Sequence, residues 1–93
     1  MNIQHQAESQ RFVAIVDGSE CLLSYRLEAD VVSMDSVEVP KAVGGRGIAG
    51  DLTRHALNWA AGKNLRVRPR CPYVKRWIER HPDAIEGLSL RYS

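Results

Sequence analysis

The sequence predicts an α/β fold: a compact mixed sheet in which an antiparallel meander is followed by a β-α-β crossover and a C-terminal helix. Three features carry that expectation. Short extended runs punctuated by turn residues fill 11–39, a helix-period stretch follows a glycine cluster at 44–47, and an alternating run at 65–70 precedes a proline-led helical stretch. A chain of 93 residues has room for one small domain, residues 1–93, with a single core.

Residues 1–10 form a polar lead-in expected to order only where it docks. Arg11-Phe12-Val13-Ala14-Ile15-Val16 is rich in β-branched and aromatic side chains and stops at Asp17-Gly18-Ser19, so it reads as a strand and a turn. Over 21–28, Leu23, Tyr25 and Leu27 alternate with Ser24, Arg26 and Glu28, the pattern of a half-buried strand, and Ala29-Asp30 breaks it. Over 31–39, Val31, Val37 and Val39 are expected on one face, with Val32, Met34, Ser36 and Glu38 on the other. Three successive strands with short connections make the meander.

At Pro40 the character changes. Lys41-Ala42-Val43-Gly44-Gly45-Arg46-Gly47 is a glycine-rich loop, and behind it Ile48, Leu52, Ala56, Trp59 and Ala60 recur at helical spacing, opposite Asp51, Arg54 and Asn58. That makes a helix of about four turns, which Gly62 is placed to cap. Leu65-Arg66-Val67-Arg68-Pro69-Arg70 alternates apolar with basic residues as a strand. A right-handed crossover over 31–70 then makes its two strands parallel neighbours. Pro69 cannot donate to a ladder, so the sheet is expected to open near it. Pro72 suits the first position of a helix with the stripe Val74, Trp77, Ile78 and His81, ended by His81-Pro82. Residues 83–93, with Leu88 and Leu90, add a short final element or cover the core.

Charge is divided unevenly. Residues 1–40 hold two basic and seven acidic side chains, whereas 41–93 hold eleven basic and four acidic, so the second half is the one expected to attract anions. The whole chain, at net +2, is not a strongly basic nucleic-acid binder. Cys21 and Cys71 are too few and too far apart for a disulfide framework or a structural zinc site, so no metal is expected. The first residues show no secretory pattern, and no segment nears the roughly 18 apolar residues that cross a bilayer. A soluble cytoplasmic protein is the expectation.

Three glycines within four residues, between a strand and a helix, bring main-chain N–H groups close to whatever lies above the sheet. Unpaired amides and the dipole of a helix start favour an anion such as phosphate. The loop lacks the Lys-Ser/Thr ending of a nucleotide-triphosphate loop and the dinucleotide glycine spacing.

The series Val37-Glu38-Val39-Pro40, Gly45-Arg46-Gly47-Ile48-Ala49, Leu52, Ala56-Leu57, Ala60, Val67, Pro69, Cys71-Pro72-Tyr73 and Ile78-Glu79-Arg80-His81-Pro82 resembles the small, single-domain branch of the GNAT N-acetyltransferase superfamily. The match covers about half the chain, in order. The resemblance implies a mixed sheet with a splayed pair of strands, acetyl-coenzyme A in the split, and its pyrophosphate on the glycine loop. It assigns cofactor contacts to Val39, Gly44, Gly45, Arg46, Gly47, Ile48, Ala49 and Cys71. Three departures stand out. Gly44 occupies a position where Gln or Arg is usual, Ser36-Val37 replaces a frequent His-Thr, and Arg68 and Arg70 replace apolar residues around Pro69. The helices that build the acceptor pocket in larger relatives have no counterpart here.

Acetyl transfer to an amine needs a neutral amine, a polarised carbonyl and a protonated leaving thiolate. As the resemblance implies, main-chain donors around Glu38 and Val39 polarise the carbonyl. Glu38 is the candidate base, against the alternative of a solvated carboxylate at a strand end. Cys71, where a strand meets a helix start, either takes the acetyl group covalently or lines the pocket. Tyr73 is the candidate acid for the thiolate, or simply packs. His81 is expected to be a structural hydrogen-bonding residue, and His5 and His55 have no assigned partners. Arg66, Arg68, Arg70, Lys75, Arg76 and Arg80 form a basic surface, solvated or suited to the 3′-phosphate of coenzyme A. The absence of interleaved aromatics argues against nucleic acid. The expected function is acetyl-CoA-dependent transfer to a small-molecule or protein amine by direct attack. The alternatives are an acyl-CoA-binding module without efficient catalysis and a small basic RNA or protein interaction domain.

Overall fold

The computed structural model describes residues 1–85 and 87–90. Six strands form one sheet in sequence order: β1 (Gln4–Gln6), β2 (Arg11–Val16), β3 (Ser19–Glu28), β4 (Val31–Glu38), β5 (Arg66–Pro69) and β6 (Ser89–Leu90). The first four are antiparallel, and β5 and β6 join parallel to β4. The mixed α/β architecture is thus the expected one. A two-residue turn, Asp17 at φ 48° and Gly18 at φ 79°, closes the β2–β3 hairpin at the pair Val16↔Ser19. Positive φ at both central residues matches the twist of the flanking strands.

Helices α1 (Ile48–Gly62) and α2 (Pro72–Arg80) share one face of the sheet. Ile48, Leu52, Ala56, Leu57 and Ala60 of α1 and Val74, Trp77 and Ile78 of α2 join Phe12, Leu23, Tyr25, Val32, Met34 and Val67 in one core. The helices meet at Gly50, where an added Cβ would stand 3.3 Å from Trp77 Nε1. No helix covers the opposite face among the described residues, and Ile15 on it is 62% exposed. No helix is long and apolar enough to cross a membrane among the described residues.

Two expectations need correcting. The alternation drawn along 31–39 fails because β4 carries a bulge: Tyr25 pairs with Met34 but Ser24 with Ser36, leaving Asp35 as the extra residue. The inserted residue reverses the side-chain parity, so Val32 and Met34 lie in the core before it, and Val37 packs against the core after it. Gly62 is the last residue of α1 and not its cap. The left-handed residue is Asn64, at φ 57°. Its N–H donates to the Ala61 carbonyl at 3.1 Å and that of Leu65 to Ala60 at 2.9 Å, the paired bonds of a Schellman ending. The strand expected over 65–70 is confined to Arg66–Pro69. Of residues 83–93, the described part adds a 3-10 turn, Pro82–Ile85, and β6; Glu86 and residues 91–93 lie outside the described set.

The lead-in docks. His5 stacks on Phe12 at 4.1 Å between centroids, meets Trp59 edge-on at 4.8 Å, and shares a 2.5 Å hydrogen bond with the Tyr25 hydroxyl. Gln10, in the left-handed region, fixes the end of this segment: its carbonyl accepts from Tyr25 N–H at 3.0 Å and its side chain from Leu27 N–H at 2.7 Å. Burial, helped by the nearby His55, lowers the His5 pKa below its ordinary value. The folded state therefore disfavours the imidazolium. Stability is full above the unfolded value, near pH 6.5, and falls as pH drops through it toward the folded value. Thermal melts at pH 7.5 and 5.0 should show that fall, and His5→Gln should reduce the difference; equal differences in the two proteins would exclude His5 as its source.

Candidate functional site

The β4–β5 ladder runs from Val31↔Arg66 to Met34↔Pro69 and stops. Pro69 has no N–H, and the chain turns away into α2, with Pro72 in its first turn. The Met34 carbonyl takes both released amides, Arg70 N–H at 3.1 Å and Cys71 N–H at 2.9 Å. Beyond that point, residues 36–38 of β4 pair only with β3. The sheet thus opens where Pro69 led one to expect, between the upper part of β4 and the start of α2.

β4 leads directly to the glycine loop. A 3-10 turn, Lys41–Val43, is anchored by Val43, 1% exposed. Gly45 and Gly47 both sit at φ 78°, and a Cβ added to either meets nothing within 4 Å. Gly47 is the N-cap of α1 and offers no side-chain acceptor; the first helical bond is Asp51 N–H to the Gly47 carbonyl at 3.1 Å. The amides of Ile48, Ala49 and Gly50 precede that bond and lie at the positive end of the helix dipole. The loop therefore leaves open space beside Gly45 and Gly47, next to main-chain donors at the helix start.

Not every candidate in the loop is equally placed. The Gly44 amide is engaged, donating to the Lys41 carbonyl at 3.1 Å, and Gly44 has extended backbone. Arg46 reaches sideways to Asp17 in the β2–β3 turn, Nη1 to Oδ2 at 2.6 Å. Ile48 points into the core and Val39 packs partly against it. Glu38, exposed at the end of β4, borders a shallow groove of about 510 Å³ that also holds Glu20 of the neighbouring strand. Cys71 is 6% exposed within the core at the start of α2. Tyr73, 41% exposed, brings its hydroxyl within 3.5 Å of where a Gly50 Cβ would stand, beside the start of α1. Burial first, then the charges of Asp51 and Cys71 against that of Arg80, raise the Tyr73 pKa above its ordinary value.

The basic surface expected of six residues is divided by the fold. Arg66, Arg68 and Arg70 belong to β5 and its exit, with Arg66 bonded to Asp30, whereas Arg76 and Arg80 line a hollow on α2 with Tyr73, Trp77 and His81. That hollow was missed in the sequence. His81 stacks on Trp77 at 4.0 Å and its Nδ1–H donates to the Trp77 carbonyl at 2.8 Å, while the Arg54 guanidinium lies 5.1 Å from the Trp77 ring. The i, i+4 spacing of Trp77 and His81 was the available signal, and the structural hydrogen bond expected of His81 is present.

Comparison with known proteins gives a consistent result. A family model described as GCN5-related N-acetyl-transferase matches residues 11–88. The protein NATD1 of Bos taurus is 27% identical over 85 residues, which cover 88% of this chain and 75% of that protein; NATD1 of Homo sapiens is 26% identical with the same coverage. Among solved structures, a GCN5-like protein from Staphylococcus aureus superimposes with a TM-score of 0.71 at 21% identity, over 98% of this chain and 91% of that one. An acetyl transferase fold from Pyrococcus furiosus gives 0.51 at 24% identity, over 75% and 56%.

Proposed function

The chain belongs to the GCN5-related N-acetyltransferase family, and from that premise we propose that all 93 residues form one domain that binds acetyl-coenzyme A and transfers its acetyl group to an amine by direct attack. The observation that carries the reading is the parting of β4 from β5 above Met34 and Pro69, with the glycine loop at the end of the same strand. One strand leads from a gap in the sheet to a helix start that favours an anion. A substrate with a diphosphate at one end and a thioester on a slender arm fits that arrangement.

The amides of Gly45 through Ala49 would hold the diphosphate, since no side chain fills the space above Gly45 and Gly47. Arg46 adds charge if Asp17 releases it; an exposed ion pair of this kind is worth only about 0–1 kcal/mol. The thioester supplies an activated acetyl group with a thiolate as leaving group. Glu38 accepts the amine proton, directly or through water, and together with Glu20 makes its groove attractive to a cationic amine. Tyr73 donates to the departing thiolate; a phenol is already protonated at neutral pH, and burial, which raises its pKa, leaves it so. Cys71, buried as it is, lines the pocket.

Acetyl-coenzyme A at 100 times its dissociation constant should stabilise the protein by about 2.7 kcal/mol. No thermal shift at millimolar acetyl-coenzyme A would refute the reading. Glu38→Gln should lower kcat about a hundredfold at unchanged acetyl-coenzyme A affinity, and Tyr73→Phe about tenfold; both follow from steady-state assays on a panel of amines. The helix-free sheet face favours one rival, a module that binds the thioester without turning it over. Binding without acetylation of any amine would establish that rival.

A further inference from the structure

A cleft of about 660 Å³ lies at the C-terminal end of α1. Tyr25 and Leu27 of β3 line it, with Trp59 at the end of the helix, Leu65 just before β5, and His5 and Gln10 of the docked lead-in. The helix runs for 15 residues, which puts this end roughly 22 Å from the glycine loop. The two places are separate. Apolar surface is left open around the cleft: Leu27 is 41% exposed, and Trp59 and Leu65 are only half-buried. Single exposed apolar residues are ordinary, but several gathered around one hollow mark a place where something binds. The rings of His5, Tyr25 and Trp59 stand there together, with centroids 4.8 to 5.7 Å apart. The polar groups on offer are donors. Gln10 Oε1 accepts from Leu27 N–H at 2.7 Å, which leaves the carboxamide NH2 for a ligand. Lys63, which also lines the cleft, has its backbone held by the Trp59 and Ala60 carbonyls at 3.1 and 3.2 Å. Its ammonium has no ion-pair partner among the described residues. Burial lowers the His5 pKa, so the imidazole adds no charge at neutral pH. Lys63 is then the one full charge in the lining.

We propose that this cleft is a second binding site, which takes a small aromatic carboxylate and is independent of the transfer reading. Size, lining and charge select that ligand together. The volume falls in the range of roughly 300–1,000 Å³ that holds one small molecule, and an apolar lining with a few polar groups is what such sites have. A flat ring meets the aromatic groups at favourable offset or edge-on geometry. Its carboxylate then reaches the Lys63 ammonium and the Gln10 NH2. An amine is repelled by the same lysine. A polyanion finds only one cation, beside helix-end carbonyls that carry partial negative charge. Because His5 and Gln10 come from the lead-in and Trp59 and Lys63 from α1, the bound ligand ties residues 5–10 to the helix.

The test titrates the full chain with 3-phenylpropionate, 3-phenylpropanamide and acetate, followed by ¹H–¹⁵N NMR. The chain has two tryptophans, so the Trp59 indole N–H reports on the cleft and that of Trp77, on α2, serves as the internal reference. The acid should move the Trp59 signal saturably, with a dissociation constant of about 1 mM or tighter, as a ligand of that size allows. It should bind about fivefold more tightly than the amide, the scale of a partly exposed ion pair. Acetate, which has the charge without the ring, should move nothing. Lys63→Gln, at an exposed position, should abolish the preference for the acid and leave the affinity for the amide unchanged. Leu27→Glu should weaken the acid further by setting a carboxylate in the cleft. Equal affinity for acid and amide in the wild-type chain, a response to acetate as large as that to the acid, or shifts centred on Trp77 would each overturn the proposal, and none of them touches the transfer reading.

Discussion

Gly47→Val should weaken acetyl-coenzyme A binding by at least about a hundredfold while leaving a folded protein. Gly47 holds φ 78° at the start of α1, a conformation in which a β-branched residue is strained, at about 1–3 kcal/mol. A domain with a stability of about 5–15 kcal/mol survives that loss. Nothing stands within 4 Å of the added Cβ, so the native packing is not disturbed. The new side chain instead fills the space above the amides of Ile48 and Ala49, where a phosphate would approach. Gly87→Val is the matched control. Gly87 has φ 83° and equally open surroundings, and it precedes β6 at the opposite end of the sheet from the loop. Both variants should melt lower by a similar amount, and calorimetry should find only the Gly47 variant unable to bind. Undiminished affinity in that variant would remove the loop from the site.

Phe12→Ala should lower the stability of the protein by about 3–5 kcal/mol. Phe12 is fully buried and lies against His5, Tyr25, His55 and Trp59, with centroids between 4.1 and 5.7 Å away. Deleting the ring opens a cavity that three different elements surround, β1, β3 and α1, so no single side-chain movement closes it. The loss is a large fraction of what a small domain holds. Urea unfolding followed by tryptophan fluorescence, which samples Trp59 beside the cavity, should show the midpoint falling steeply. A loss below about 1 kcal/mol would mean that the lead-in does not pack as described.

The parts of this fold that were legible in the sequence are those that a local rule governs. β2 was bounded correctly at Arg11 and Val16 because an apolar run met an obligatory turn at Asp17-Gly18. The end of β4–β5 pairing was legible because Pro69 lacks the N–H that a ladder needs. Asp35 was not legible as a bulge. A polar residue at an extended position satisfies the alternating pattern either way, and only the register against Ser24 and Tyr25 reveals the insertion. The α1 ending misled because Gly is the usual residue for a left-handed cap, yet Asn64 also tolerates that conformation and takes the left-handed position two residues after Gly62. At the candidate site, the glycine positions were readable as backbone requirements. The engagement of Arg46 with Asp17 and the isolation of Arg68 depend on what lies across the sheet, which no local pattern encodes.

The sheet begins with a strand of three residues, Gln4–Gln6. An edge strand so brief gives a foreign chain little to zip onto, which is how sheets avoid templated stacking into fibrils. The protection is incomplete on that flank. β1 shields only residues 11–13 of β2, so among the described residues the outward edge of 14–16 has no strand partner beside the exposed Ile15. That half-strand is where aggregation of this protein is expected to nucleate, and a lysine at position 15 is the substitution that should suppress it.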